Sequence, residues 1–409
     1  MEGTGWHVKH NATGFCAVIT FCYDRLATPT VGYPNLAQWP AKPYTPEWRQ
    51  FDAHWPRTVP LRLTMYLDAA HVPYSVSTVA QAPKGSWYPI AFSWFDFTCD
   101  YFGMLSPEVV SRIAAGEIKI LFYYHEGDNP QRIQEHLYHS QFGTLLPRTC
   151  YHFISANSAA DQLTNATYFP DHEFFFRHVN RKQNAIDYGT GSRPYDFTLL
   201  NRTHKWWRAS CVSDLLNRGL LARSQWSYHT DCSLNEDPAD NPLELDTVLG
   251  WRQQVEAFVA GGPYLCDQLN LAEQNDHHWV NVELYNNSYF HIVAETHFDA
   301  DQSGGTFITE KTYKAIKFGQ PFVMIGPAGT LAALRRCGYR TFDHVLDNSY
   351  DTIEHNTERW HAVCALIESL HQQDLKQLFD QCRDDVAHNQ EIFLQRQIPP
   401  LNTLLERLT

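Results

Sequence analysis

The sequence predicts an α/β fold of two domains, and three observations support this prediction. The chain has 409 residues, which is more than one hydrophobic core usually accommodates. Short apolar segments typical of buried strands alternate with segments of helical periodicity, as in proteins with parallel sheets. This alternation occurs on both sides of a Gly-, Ser- and Pro-rich stretch at 187–194. We therefore expect two Rossmann-like domains that face a cleft, spanning residues 1–190 and 191–409.

The first half contains four predicted strands and one well-delimited helix. Ser106 suits the N-cap of that helix, Pro107 suits its first turn, and Gly116 suits its end. A predicted strand follows at once, which is the αβ half of a parallel unit. The four predicted strands are Phe15–Cys22, Leu61–Leu67, Ile118–Tyr124 and Tyr151–Ser155.

The second half repeats the alternation. A further strand ends near Trp226, and helical periodicity from about 352 to 391 predicts C-terminal helices that pack back on the fold. The other predicted strands are Asp196–Leu200, Tyr289–Glu295 and Pro321–Ile325, and the other predicted helices are Lys205–Arg218, Thr330–Cys337 and one that begins at Thr309.

Composition excludes several classes of protein. The formal net charge of −13, without a basic stripe, argues against nucleic acid as a partner. It does not exclude a small anion, because a few local cations and a helix N-terminus can hold phosphate. No window approaches eighteen apolar residues, so we expect no membrane span. Ten cysteines without a C-x-x-C pair and the lack of a signal sequence predict a cytoplasmic protein with reduced thiols.

The segment 309–319 carries most of the functional inference. Thr309 suits an N-cap, Glu310 lies in the first turn, and Gly319 ends the predicted helix. The helix follows a strand of a parallel sheet, where helix N-termini and lysines such as Lys311 or Lys314 can bind phosphate. The alternative is an ordinary capped surface helix with solvated lysines.

The same segment resembles a known motif. The run Glu295-Thr…Phe307-Ile-Thr-Glu-Lys-Thr-Tyr-Lys…Gly319-Gln-Pro-Phe is similar to the donor-site motif of GT-B glycosyltransferases related to the α1,3-fucosyltransferases. It also resembles a wider set of bacterial and viral glycosyltransferase-like sequences, which continue as here through 331–342 and 347–351. The resemblance covers about residues 289–360.

The resemblance implies roles for several residues in binding a nucleotide sugar. It assigns Glu310 to ribose hydroxyls and Lys311 to the diphosphate, with Thr309, Lys314 and Glu295 beside them. It also implies an arginine on the diphosphate, for which the candidates are Arg202 and Arg208. The alternative for both arginines is a surface position near a helix start.

Acid–base candidates follow the strand at 118–124. Glu126 is the first choice for a general base that deprotonates an acceptor hydroxyl, and Asp128 and His125 come next. The alternative is a Gly-Asp-Asn-Pro turn whose acids cap the next helix. Asp231, after another strand, could be a nucleophile in a retaining reaction or a structural residue.

A metal site is the remaining option. Asp299-Ala-Asp301 has the D-x-D spacing of metal-dependent transferases. Two-Rossmann transferases generally use helix dipoles and basic side chains instead, so we expect a loop here, with neither metal nor cofactor.

We therefore predict a metal-independent, inverting glycosyltransferase that moves a sugar from a GDP-, UDP- or CMP-linked donor to a hydroxyl of a glycan or other acceptor, as in polysaccharide biosynthesis. A retaining transferase of the CMP-Kdo type is the first alternative. A non-catalytic carbohydrate- or nucleotide-binding protein and a nucleotide-sugar hydrolase are alternatives of other classes.

Overall fold

A computed structural model of the protein describes residues 18–24, 61–92, 95, 97, 100–103, 105–139, 146–184, 191–230, 239, 241–266, 280–299, 303–395 and 399–408. The chain divides into two compact units. Unit 1 comprises Met1–Phe174, Ser303–Gly305 and Gln397–Thr409, and unit 2 comprises Phe175–Gln302 and Thr306–Arg396. The division therefore precedes the predicted boundary at residue 190, and part of the expected linker at 187–194 lies outside the described residues.

Unit 1 contains a six-stranded parallel sheet with the order β2-β1-β3-β4-β5-β6. Its described strands are β1 (Ile19–Tyr23), β2 (Tyr74–Thr78), β3 (Ser86–Phe92), β4 (Ile118–Tyr124), β5 (Tyr151–Ser155) and β6 (Ala166–Tyr168). The helices that begin in this unit are α1 (Arg62–Ala69), α2 (Pro107–Ala114), α3 (Pro130–His139), α4 (Asp171–Val179) and α13 (Pro399–Leu408).

Two sequence predictions for unit 1 need correction. The strand predicted at Leu61–Leu67 is wrong, because this segment forms helix α1. Its residues 63–67 are all buried, so the helix lacks the polar face that would distinguish it from a buried strand. The predicted strand Phe15–Cys22 corresponds to β1, although residues 15–17 lie outside the described part of the chain.

Unit 2 contains a four-stranded parallel sheet with the order β10-β9-β7-β8. Its strands are β7 (Tyr195–Asn201), β8 (Gln225–Tyr228), β9 (Ser288–Ala294) and β10 (Phe322–Ile325). Its helices are α5 (Trp206–Asn217), α6 (Trp251–Gly261), α7 (Glu283–Asn286), α8 (Glu310–Lys317), α9 (Thr330–Arg336), α10 (Asn356–His371), α11 (Leu375–Gln381) and α12 (Arg383–Gln395). The two parallel sheets confirm the predicted α/β class.

The strand order of unit 2 creates a switch point between β7 and β9. From β7 the chain winds outward to β8, and it then returns to the other side of β7 to form β9 and β10. In open α/β sheets, ligands bind at the carboxyl ends of the two strands where the winding reverses. Here those ends are Asn201 and Ala294, and the next residues are Arg202 and Glu295.

Helix α8 forms where the sequence predicts it. The Thr309 hydroxyl accepts a hydrogen bond from the backbone N–H of Lys311, as expected of an N-cap. Gly319 has a φ of +69°, the left-handed conformation that favours glycine after a helix. The ring of Tyr313 stacks on Phe393 of α12, with 6.0 Å between centroids, and this contact fixes the buried face of α8.

No helix among the described residues is both long and apolar enough to cross a membrane.

Candidate functional site

Glu295 anchors the N-terminus of α8 in unit 2. Its carboxylate is fully buried and accepts hydrogen bonds from the Thr309 hydroxyl at 2.6 Å, from the Thr309 backbone N–H at 3.2 Å and from the Thr312 hydroxyl. An anion at a helix N-terminus is favourable, and here the protein supplies its own. Glu295 and Thr309 therefore position α8, and both side chains are occupied inside the protein.

Lys311 lies at the start of α8 within reach of three oxygen atoms. Its Nζ is 3.2 Å from the Thr309 hydroxyl, 3.3 Å from the Thr296 hydroxyl and 3.3 Å from a carboxylate oxygen of Glu310. The Lys311 side chain is 27% exposed and that of Glu310 is 14% exposed, so both retain an accessible side. This acid–base pair sits at the carboxyl edge of the sheet, as the sequence predicts.

Lys314 is a half-buried cation one turn further along α8. Burial lowers the pKa of Lys314; nearby Glu310 opposes this change, whereas Lys311 and Arg202 add to it. Two like charges thus lie close enough to disfavour the protonated lysine. An anion bound among these groups would offset that repulsion.

Arg208 is held by backbone oxygen atoms. Its guanidinium donates to the carbonyls of Thr203, at 3.1 Å, and of Glu295, and only 2% of the residue is exposed. It therefore connects the segment after β7 to the end of β9. Arg202, which is only partly buried, is the more accessible of the two predicted arginines.

The pKa of His297 is affected by several of the same cations. Burial lowers its pKa to about 3, and Lys205, Arg208 and Lys311 contribute in the same direction. Together with Lys314 and Arg202, the described residues place five cationic side chains around the switch point. We call this set, Arg202, Lys205, Arg208, Lys311 and Lys314, the cation cluster.

The N-terminus of α9 is already neutralised. The Asp351 carboxylate accepts hydrogen bonds of 2.9 Å from the backbone N–H groups of Leu331 and Ala332 at the start of α9. The carbonyl of the same residue accepts from Gly329 N–H at 2.7 Å. Because these donors are occupied, α9 does not compete with the cation cluster for an anion.

In unit 1, the segment after β4 carries the predicted acid–base residues. Glu126 has a side chain that is 34% exposed, and its Oε1 lies 3.8 Å from Nε2 of the buried His125. Burial lowers the pKa of His125 well below 6.5, and Arg62 adds to this effect, so the ring is neutral at pH 7. Its Nδ1 is buried and has no hydrogen-bond partner among the described residues.

A buried ion pair lies beside these residues. Asp171, the first residue of α4, accepts a hydrogen bond from Arg62 Nη1 at 2.6 Å and from the hydroxyls of Tyr66, at 2.8 Å, and Tyr123, at 2.6 Å. Burial alone would raise the pKa of Asp171, but Arg62 and the Tyr123 hydroxyl hold it below its usual value. Asp171 is therefore ionised, and Glu126 is close enough to affect Arg62 as well.

His172 completes this group. Its Nε2 lies 3.0 Å from the backbone carbonyl oxygen of His125. A carbonyl only accepts hydrogen bonds, so Nε2 carries the proton. The structure thus groups His125 and Glu126 with Arg62, Asp171 and His172 at the carboxyl ends of β4 and β6.

In the part of the chain that the structure describes, the remaining predicted acidic residues do not join either group. Asp128 accepts a hydrogen bond from the Tyr124 hydroxyl, whereas the cap of α3 is Asn129, whose Oδ1 accepts from Gln131 N–H at 3.0 Å. Asp231 and Asp301 lie outside the described residues, and Asp299 is partly buried. Within the described ranges, no three His, Cys, Asp or Glu side chains form a group that could hold a metal ion.

Sequence patterns do not identify several residues of these sites. Asp171 and His172 follow β6, which has only three residues and so gives little periodic signal. Lys205 and His297 lie in segments without a motif of their own. Asn201, the last residue of β7, has a buried amide without a hydrogen-bond partner among the described residues, a property that no sequence pattern reveals.

Comparison with known proteins found no match to this chain among family models, curated proteins or solved structures.

Proposed function

We propose that this protein is a metal-independent glycosyltransferase of the GT-B kind, which binds a nucleotide sugar in unit 2 and uses Glu126 of unit 1 as general base. The carrying observation is the cation cluster at the switch point of the unit 2 sheet. Its concentration of positive charge contrasts with the net charge of −13 of the whole chain. Phosphate groups would offset the mutual repulsion of these cations.

In the proposed reaction, a hydroxyl of the acceptor attacks the anomeric carbon of the donor sugar while Glu126 takes its proton. The bond from the anomeric carbon to the phosphate oxygen breaks, and the nucleotide leaves with the bonding electron pair. Lys311 and Arg202 stabilise the negative charge on the leaving group. Glu310 is assigned to ribose hydroxyls, since a carboxylate can accept two such hydrogen bonds.

The donor site is tested by thermal-shift measurements with GDP-, UDP-, CMP- and dTDP-linked sugars, each with and without EDTA. We expect stabilisation by one class of donor that EDTA leaves unchanged. Lys311→Met should weaken that binding about 10- to 100-fold, because a charge-assisted hydrogen bond is lost. Lys376→Met is the matched control, since the partly exposed Lys376 on helix α11 pairs with Asp380. Equal effects of the two substitutions would reject the donor site.

The base is tested separately by Glu126→Gln. We expect loss of transfer to the acceptor with donor binding retained, because the neutral amide of the variant cannot accept the proton. Wild-type protein that binds a donor but transfers to no acceptor would favour the non-catalytic binding protein. Donor cleavage that is independent of acceptor would favour the hydrolase, and binding of CMP-linked donors alone would favour the retaining alternative.

A further inference from the structure

Asn201 has an unusual environment for a buried amide. It is the last residue of β7, and only 2% of it is exposed. Neither Oδ1 nor Nδ2 has a hydrogen-bond partner in the described part of the protein. Its backbone carbonyl, in contrast, accepts from His229 N–H at 3.0 Å. Buried side-chain amides are nearly always paired, because leaving a donor or acceptor unsatisfied is costly.

The next residue repeats this feature. Arg202 Nη1 is buried and likewise has no partner among the described residues. Arg202 also lies within electrostatic reach of Lys314 in the cation cluster. At the switch point of the sheet, the end of β7 therefore presents two amide N–H groups, one amide oxygen and one guanidinium nitrogen that have no partner among the described residues.

These atoms restrict the chemistry of a ligand. Phosphate oxygens only accept hydrogen bonds at neutral pH, so they can satisfy Arg202 Nη1 and Asn201 Nδ2. They cannot satisfy Asn201 Oδ1, which requires an O–H or N–H donor. A ligand that satisfies all three atoms must carry a hydroxyl or N–H group close to an anionic oxygen. A sugar attached to phosphate has this arrangement.

We propose that Asn201 and Arg202 form a polar subsite for a sugar hydroxyl next to a phosphate, in which Asn201 both donates to and accepts from the hydroxyl while Arg202 contacts the phosphate. This inference rests on the proposed function and adds a specificity residue to it. The hydroxyl belongs either to the ribose or to the transferred sugar, and the choice of ligands separates these two sources.

The first test measures the unfolding temperature of the full chain without ligand. Asn201→Leu replaces the unpaired amide with an apolar group of similar size, and we expect the unfolding temperature to rise by about 2–4 °C. Asn389→Leu is the matched control. Asn389 is 1% exposed, but its Oδ1 accepts from Arg340 N–H at 2.7 Å and its Nδ2 donates to Arg340 O at 2.8 Å. Its replacement should lower the unfolding temperature. An equal fall for Asn201→Leu overturns the proposal.

The second test measures dissociation constants of wild type and Asn201→Leu for pyrophosphate, a nucleoside diphosphate and a nucleotide sugar. Pyrophosphate has no sugar hydroxyl, so we expect its affinity to change less than about twofold, whereas affinity for the hydroxyl-bearing ligand falls about 10- to 100-fold. Equal weakening for the nucleoside diphosphate and the nucleotide sugar assigns the hydroxyl to ribose. Weakening of the nucleotide sugar alone assigns it to the transferred sugar. Unchanged affinity for every ligand overturns the subsite.

Failure of the proposed function gives a different result. If wild type binds pyrophosphate but no nucleotide sugar, the glycosyltransferase proposal fails, and a sugar 1-phosphate replaces the nucleotide sugar in the same comparison. A selective loss of sugar 1-phosphate binding in Asn201→Leu then still supports the subsite. Wild-type protein that binds none of these compounds overturns both proposals.

Discussion

At the scale of single residues, the ion pair of Arg62 and Asp171 illustrates how one side chain controls its neighbours. Asp171 is 1% exposed, and it accepts from Arg62 and from two tyrosine hydroxyls. Without this carboxylate, the guanidinium would lose its buried counter-ion, although Glu126 also raises the pKa of Arg62. Asp171 is therefore the buried counter-ion of the Arg62 guanidinium.

We predict that Asp171→Asn destabilises the protein by about 3–5 kcal/mol, because it removes the buried carboxylate that pairs with the largely buried Arg62 guanidinium. Urea denaturation measures the change. Asp246→Asn is the control, since Asp246 pairs with Arg252 on the surface and its loss should leave the urea midpoint unchanged. The double variant Arg62→Met/Asp171→Asn should recover part of the stability. A single variant as stable as wild type would contradict this account of the pair.

At the scale of secondary-structure elements, the position of α8 depends on a contact from the neighbouring strand. Glu295 directly follows β9, and its carboxylate accepts from Thr309 and Thr312 at the first turn of α8. The strand thus fixes the helix start, and the helix start carries Glu310 and Lys311. The accessible acid–base pair is positioned by a buried carboxylate.

We expect Glu295→Gln to lower the free energy of unfolding by about 2–3 kcal/mol. Hydrogen bonds to a charged acceptor are replaced by weaker ones, and the N–H groups of the new side-chain amide would face other donors. The unfolding free energy from urea denaturation gives this value. Glu283→Gln, at the exposed first residue of α7, is the matched control and should change stability by less than about 0.5 kcal/mol. Similar costs for both variants would argue against the anchoring role of Glu295.

Local sequence signals account for the elements that can be predicted. The cap Thr309 and the stop Gly319 delimit α8 by short-range chemistry, and Ser106 similarly begins α2 by accepting from Val109 N–H. Helix α1 resembles a strand in sequence because its residues 63–67 are all buried and give no polar face. Strand β3 escapes prediction because Pro89 lies within it, and proline is rare in central strands.

The sites can be predicted only in part, for a different reason. The sequence indicates Glu126 because it closely follows a predicted strand. It indicates Glu310 and Lys311 because they begin a predicted helix. Arg62 and Asp171 are 109 residues apart in sequence, and only the fold brings them together. Asn201 is significant because its amide lacks partners among the described residues, which depends on the whole surrounding structure.

At the scale of the whole molecule, buried neutral histidines occur in both units. Burial lowers the pKa of His152 to about 4; nearby Arg407 and Lys119 contribute. Burial likewise lowers the pKa of His291 to about 4, although a hydrogen bond to Gln320 opposes the change. In the unfolded chain both imidazole rings have the ordinary pKa of 6.5, so they bind protons more readily than in the folded protein. Acid therefore favours unfolding.

The contribution of these two histidines to the free energy of unfolding should therefore be fully present above pH 6.5, and it should be lost as the pH falls from 6.5 to about 4. Each of the two histidines contributes up to about 1.4 kcal/mol per pH unit in this window. Calorimetric unfolding temperatures at several pH values from 7.5 downward test this, and His152→Gln and His291→Gln should each reduce the pH dependence. An unfolding temperature that stays constant in wild type as the pH falls to about 5 would refute it.

The cation cluster also has a kinetic consequence. The whole chain repels anions at long range because its net charge is −13, whereas the cluster attracts them only at short range. At an ionic strength of 0.1 M, charges are screened beyond about 10 Å. A long polyanion is repelled by the net negative charge along its whole length, but a small phosphate ester can reach one strand end after passing a weak, screened barrier. The charge distribution therefore favours small anions over long ones before any specific hydrogen bond forms, and in the proposed reaction it would hasten the departure of the anionic product from the protein.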